Sequence, residues 1–200
     1  MKKLNYFLQA ILIYIFFFIG RLLGLNLSRI FFSYLFFLLG PIFKSEKIAK
    51  KNLNIFSKNL SNTRINEIVK NMWKNYGMTF IEYVFLNRFR KKNNHIKIYG
   101  EDVLADIIKK EKPVIFISGH FANFELMSME ITKRQIRLAT IYRPLNNIFL
   151  NPFMEYLRKK YVCANQIKKG INGVRDAIKF LKNNYSIALM IDQRVSEGER

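Results

Sequence analysis

The chain has 200 residues, half of them hydrophobic, and carries 34 Lys and Arg against 14 Asp and Glu for a formal charge of +20. That length and apolar content suit one core of ordinary size and exclude a disordered polar chain. The charge draws the protein to anionic partners. A single cysteine, Cys163, excludes an internal disulfide, and no Cys/His cluster has zinc-ligand spacing.

From Leu4 to Gly20 the sequence reads LNYFLQAILIYIFFFIG without a charge, and after Arg21 it continues as LLGLNL. A helix of about 17–25 such residues is long enough to cross or deeply enter a bilayer, with Arg21 snorkelling near one face. The run lacks a small-x-small cleavage site and exceeds a usual signal-peptide core, which favours an anchor over a leader. A second apolar run, Ile30 to Phe43, is short for a span and ends near Gly40 and Pro41, so it reads as an interfacial or partly buried helix. Lys44, Lys47, Lys50 and Lys51 follow, and the positive-inside rule places the body of the protein in the cytoplasm. Residues 1–43 thus form a membrane anchor and interfacial helix, and residues 44–200 the main domain.

Ser61 to Leu86 carries apolar residues at helical spacing, with Ser61 or Asn62 as its cap. Asn87–Asn94 is polar and basic, and the alternation HIKIY (His95–Tyr99) predicts an edge strand. A short helix over Asp102–Lys110 comes next. Beyond Pro113 the pattern becomes αβ: strand Val114–Ser118, helix Phe121–Thr132, strand Arg137–Tyr142, helix Ile148–Tyr161, helix Ile171–Leu181 and strand Ser186–Ile191. Near-continuous apolar strands alternating with helices predict an α/β fold, a mainly parallel sheet with flanking helices. The chain stops in SEGER soon after its last strand, which leaves the sheet open-ended and suggests a domain incomplete at its C-terminus.

Ligands of such sheets gather at the carboxyl ends of the strands, where His120, Arg143 and Asp192 stand. In ISGHFANFEL (Ile117–Leu126), His120 sits in the turn from strand to helix and Glu125 follows five positions later. Residues five apart on one straight helix do not share a face. With His120 ahead of the helix, its side chain can fold back so that a carboxylate accepts from one imidazole nitrogen and the other faces substrate. That arrangement suits a general base whose imidazolium is steadied by a carboxylate. A lone histidine is more often structural, and His95 and Cys163, without partners in motif spacing, are read so. Arg143 serves either a turn or an anion, Asp192 either the site or a pair with Arg194, and Asn123 shapes the turn more readily than it contacts substrate.

GHFANFE, YRPLNN (Tyr142–Asn147) and MIDQR (Met190–Arg194), with the upstream IAKKNLNIF (Ile48–Phe56), together resemble the lauroyl/myristoyl acyltransferases of lipid A biosynthesis, over nearly the whole chain. The resemblance implies a glycerolipid-acyltransferase-like fold at the inner membrane of a bacterium, with the catalytic domain facing the cytoplasm. It also implies transfer of a fatty acyl chain from acyl carrier protein to a hydroxyl of a lipid A precursor, on an anionic membrane. His120 matches the base and Glu125 the carboxylate of a His-x4-Asp/Glu motif. Arg158, in EYLRKKY, matches an arginine on the helix after the Tyr-Arg-Pro turn, with Lys159 and Lys160 leaving the register open by a residue; Asp192 matches the later Asp turn. Arg143 and Arg158 suit lipid phosphates or a thioester oxyanion. No metal or organic cofactor is needed, because a thioester is already activated. A glycerophospholipid acyltransferase with the same motif and a non-catalytic binder of anionic membranes are the alternatives. Nucleic acid is the least attractive partner, since no recognition motif accompanies the charge.

Overall fold

The computed structural model describes residues 1–43 and 45–192. Lys44, Gln193 and Arg194, which the sequence reading invoked, and the SEGER terminus lie outside the described residues. The chain divides into two compact units: one is Leu12–Phe85, the other joins Met1–Ile11 to the chain from Leu86 onward.

The unit Leu12–Phe85 is built from three helical stretches. Helix α1 (Lys2–Phe43) holds both apolar runs in one helical stretch broken at Gly24, whose φ of 72° and ψ of 170° leave helical space. The two runs are therefore two helical arms, as their sequence predicts, and they meet at Gly24. The break reverses the chain. Phe16 and Phe32, ~24 Å apart along a straight helix, have ring centroids 5.6 Å apart, and the Ser28 hydroxyl reaches the carbonyl oxygens of Gly20 at 2.7 Å and Gly24 at 2.6 Å. Only a residue without Cβ adopts this conformation at little cost. Helix α2 (Lys47–Phe56) follows, then α3 (Asn62–Glu82), whose cap is Ser61, accepting from the Arg64 amide. The Phe80 ring of α3 meets Phe16, Phe17, Phe32 and Phe36. Small residues set the spacing: a Cβ at Gly77 would collide with the Phe32 carbonyl, one at Gly20 with Ile81 and one at Gly40 with the Trp73 ring. The Arg29 guanidinium donates to Glu82 at 2.7 Å beside the Gly24 break. A 3-10 turn, Tyr83–Phe85, closes the unit.

The second unit is α/β. Helices α4 (Leu86–Lys91) and α5 (Glu101–Lys110) precede strand β1 (Ile115–Ser118), helix α6 (Glu125–Lys133), strand β2 (Leu138–Tyr142), helix α7 (Asn151–Tyr161), strand β3 (Asn165–Lys168), helix α8 (Ile171–Lys182) and strand β4 (Ser186–Met190). The four strands pair in parallel in the order β1-β4-β2-β3. Ala139, Ile167, Ala177 and Ile187 are buried together, with Phe180 and Leu181 of α8 packed on them. Glu101 and Asp102 open α5 and Lys109 and Lys110 close it, complementing its dipole.

Three expectations change. His95–Tyr99 is not a strand; Ile96 and Ile98 are half-buried, alternating with the exposed Lys97 and Tyr99 without strand pairing, and the His95 side chain stacks 4.9 Å from the Phe89 ring and lies 3.6 Å from the Glu130 carboxylate. Strand β3 escapes the hydropathy pattern, because NQIK lies at the sheet edge and buries only Ile167. Helix α6 begins at Glu125 instead of Phe121, since Ala122 is left-handed (φ 43°) and a helix cannot run through it.

Candidate active site

Topology accounts for the site. Strands β1 and β4 are direct neighbours, so the residues that leave their carboxyl ends, His120 and Asp192, come together although they are distant in sequence. The Ile191 amide donates to the Ser118 carbonyl at 3.0 Å and extends the ladder to the last residue before Asp192. Asp192 then grips His120 twice: Oδ2 accepts from the His120 amide at 2.8 Å and Oδ1 lies 2.8 Å from the ring Nδ1. Gly119 permits this approach, because a Cβ there would press on the Asp192 carboxyl and the Phe121 ring. The contacts from His120 hold the Asp192 carboxyl below its ordinary range. With Nδ1 engaged by a carboxylate, Nε2 is the ring nitrogen left for a substrate. The Phe124 ring packs edge-on at 4.6 Å and fixes the imidazole plane.

Glu125 opens α6, and its Oε1 accepts from Arg158 Nε of α7 at 2.6 Å. The Glu125 side chain is buried at 8% exposure and that of Arg158 largely so at 13%. Lys159 and Lys160 do not share this place; Lys160 turns to the Tyr156 hydroxyl at the surface. Arg158 also lies 6.0 Å from the Tyr142 ring. The structure brings His120 against Asp192 and Glu125 against Arg158. Asn123 is buried in the loop between β1 and α6, its carbonyl accepting from the Leu126 amide. Arg143 is exposed just beyond β2 and makes no ion pair with a described residue.

Two groups at this edge went unread in the sequence. The Tyr142 hydroxyl donates to Glu155 at 2.6 Å; burial and that hydrogen bond push the phenol up to about 12, and the Tyr142 bond, opposed by burial, holds Glu155 below its usual range. A tyrosine ending a strand and a glutamate in the first turns of the next helix were the available signal. Asn147, in YRPLNN, donates from Nδ2 to the Tyr6 carbonyl of α1 at 2.8 Å, while Oδ1 accepts from the Phe149 and Leu150 amides. The Phe7 and Phe149 rings meet at 5.4 Å. Nothing in the sequence links positions so far apart.

Phe121, Leu145, Ile148, Phe149 and Ile191 are exposed apolar residues around the same carboxyl edge, a rim suited to a hydrocarbon chain. Among the described residues no three His, Cys, Asp or Glu side chains are grouped to hold a metal ion.

A sequence profile described as bacterial lipid A biosynthesis acyltransferase matches residues 1–200, the full length of the chain. The chain belongs to that family. No curated protein matches it. As a lipid A biosynthesis acyltransferase, the protein is an enzyme of acyl transfer whose α/β unit is preceded by an apolar helix. The helix over Lys2–Ile42 is long and apolar enough to cross a membrane by length and composition, which fits a membrane-associated protein.

Proposed function

We propose that this lipid A acyltransferase moves a fatty acyl chain from the thioester of acyl carrier protein to a hydroxyl of a lipid A precursor, at the cytoplasmic face of the inner membrane. His120 is the base of a site it shares with Glu125, Arg158 and Asp192. The observation that carries the reading is the double contact of Asp192 with His120 beside the buried Glu125–Arg158 pair, at the carboxyl edge of the sheet in a family of acyltransferases.

The chemistry follows from those contacts. Nε2 of His120 takes the proton of the acceptor hydroxyl as its oxygen attacks the thioester carbonyl; Asp192 fixes the tautomer through Nδ1 and steadies the imidazolium. The tetrahedral intermediate expels the thiolate, which recovers the proton from His120. Glu125 serves the base at one remove: it anchors the Arg158 guanidinium, whose positive charge stabilises the oxyanion or orients a lipid phosphate. Arg143 is the second cation for the phosphorylated acceptor, and Asn123 keeps the His120 loop in shape. The exposed apolar rim receives the acyl chain.

Acyl carrier protein suits the charge of +20, because a basic surface accelerates encounter with an acidic carrier more than it tightens the complex. The test is transfer from carrier-protein thioesters to a lipid A precursor, with ester formation followed by mass spectrometry. Raising salt should lower the second-order rate with the carrier-protein donor more than with a small thioester. Equal salt sensitivity would remove carrier recognition. Anionic lipid binding without turnover of any acyl donor would sink the catalytic assignment.

A further inference from the structure

Helix α2 has a surface that its own unit does not use. Successive residues turn by about 100° around a helix, so Ile48, Asn52, Ile55 and Phe56 fall on one side and Lys47, Lys50, Lys51 and Asn54 on the other. Ala49 and Leu53, between the two sectors, are half-buried where α2 packs against α3, and Lys50 is half-buried and paired with Glu46 at 3.1 Å. No residue of α2 is fully buried. Ile48, Ile55 and Phe56 are 68%, 72% and 85% exposed. An apolar stripe held outward by a docked inner sector, with lysines on its flank, does nothing for the packing of this unit.

Its surroundings indicate what covers it. The helix follows α1, whose apolar arms are largely exposed. Beside its start, Trp73 Nε1 donates to Glu46 at 3.1 Å, and Lys74 Nζ sits 5.5 Å from both the Tyr34 and Phe37 ring centroids. Aromatic residues mixed with lysine next to an apolar helix mark the level of a membrane–water interface. A helix with an apolar face and a lysine face, at that level, fits the headgroup boundary.

We infer that α2 lies in the plane of an anionic lipid leaflet, with Ile48, Ile55 and Phe56 inserted at the acyl boundary and the exposed Lys47 and Lys51 on the headgroup phosphates. The inference rests on the membrane association proposed for α1 and adds a second contact of a different kind. The apolar stripe sets the depth and the lysines supply attraction that salt weakens.

The test uses the full chain reconstituted in vesicles of phosphatidylcholine and phosphatidylglycerol. Cys163 is replaced by Ala and single cysteines carry an environment-sensitive fluorophore. Labels at Ile55→Cys and Phe56→Cys should shift to the blue and be quenched by lipids bearing a nitroxide near the headgroup, whereas a label at Asn54→Cys should stay in water. A label at Phe18→Cys in α1 reports the anchor independently. Quenching at position 18 with none at 55 or 56 would overturn the inference and spare the anchor; no quenching at any of them would remove both. Equal quenching at 54 and 55 would mean a face buried without orientation, as in a protein contact, and would also overturn it. In pure phosphatidylcholine the signal at 55 should weaken while that at 18 persists; an unchanged signal at 55 would refute the part assigned to the lysines.

Discussion

The helical unit and the carboxyl edge of the sheet are assembled by opposite means. In the unit Leu12–Phe85, contacts come from apolar steric fit: glycines at 20, 40 and 77 let helices approach and the phenylalanines around Phe80 fill the space between them. At the carboxyl edge of the sheet each side chain arrives from a different strand or helix, and the hydrogen-bonded pair His120–Asp192 and the ion pair Glu125–Arg158 decide the arrangement. Steric fit degrades gradually when it is perturbed. A polar site loses its chemistry when one partner goes, because the other is left uncompensated. Damage to the two regions should therefore differ in kind: lost turnover in a folded protein at one, lost folding with intact chemistry at the other.

The largest effect belongs to His120. Replacing it with Ala removes the proposed base and should lower transfer ~10²–10⁴-fold, with thermal melting little changed. The double variant with Glu125→Gln should fall short of the product of the single losses, since groups acting as one unit are not additive. Losses that multiply would separate Glu125 from the base, and near-normal transfer in folded His120→Ala would reduce the residue to a structural turn.

Glu125 comes next and sharpens the comparison, because it belongs to both stability and chemistry. Removing one partner of a buried ion pair costs about 3–5 kcal/mol, so Glu125→Ala should lower the melting temperature as well as the rate. Replacing the pair together, Glu125→Leu with Arg158→Met, should recover much of the melting temperature and none of the transfer. Recovery of both would make the pair purely structural.

The two regions also differed in how far they could be read. The sequence pointed to His120, Arg143 and Asp192 at the strand ends, because apolar strands advertise their own boundaries and parallel sheets collect function at one edge. Which carboxylate meets the imidazole depends on β1 lying beside β4, and no local pattern encodes that order. Strand β3 was hidden by its polarity, and the HIKIY alternation misled because burial on one side arises without strand pairing. The fold-back of α1 was equally hidden: a glycine in an apolar run carries no sign of its φ.

Gly77→Ala offers a smaller and cleaner perturbation of the helical unit. The added Cβ meets the Phe32 backbone carbonyl, which cannot swing aside as a side chain does, so the helices must separate at a cost of about 1–3 kcal/mol. Alanine's better helix propensity returns up to ~1 kcal/mol. The net result should be a lower melting temperature and lower yield from membranes, with turnover per folded molecule unchanged. A stabilised Gly77→Ala protein would show that α1 and α3 do not approach as described.

The smallest effect is the pH dependence of the Asp192–His120 pair. The hydrogen bonds from His120 depress the Asp192 carboxyl in the folded protein, so the folded state binds fewer protons than the unfolded chain between the two pKa values. The resulting stability is fully present above the unfolded aspartate value of about 3.9 and is lost as pH falls through the lower folded value. It is small, because the Asp192 side chain is 38% exposed and solvent screens the pair. Melting temperatures of the wild type and Asp192→Asn should therefore differ slightly at neutral pH and converge in acid below pH ~4. Transfer at neutral pH should fall much more than stability in the same variant, since the amide no longer steadies the imidazolium. A pair built for packing would show the reverse: a melting difference that persists in acid and a rate that hardly moves.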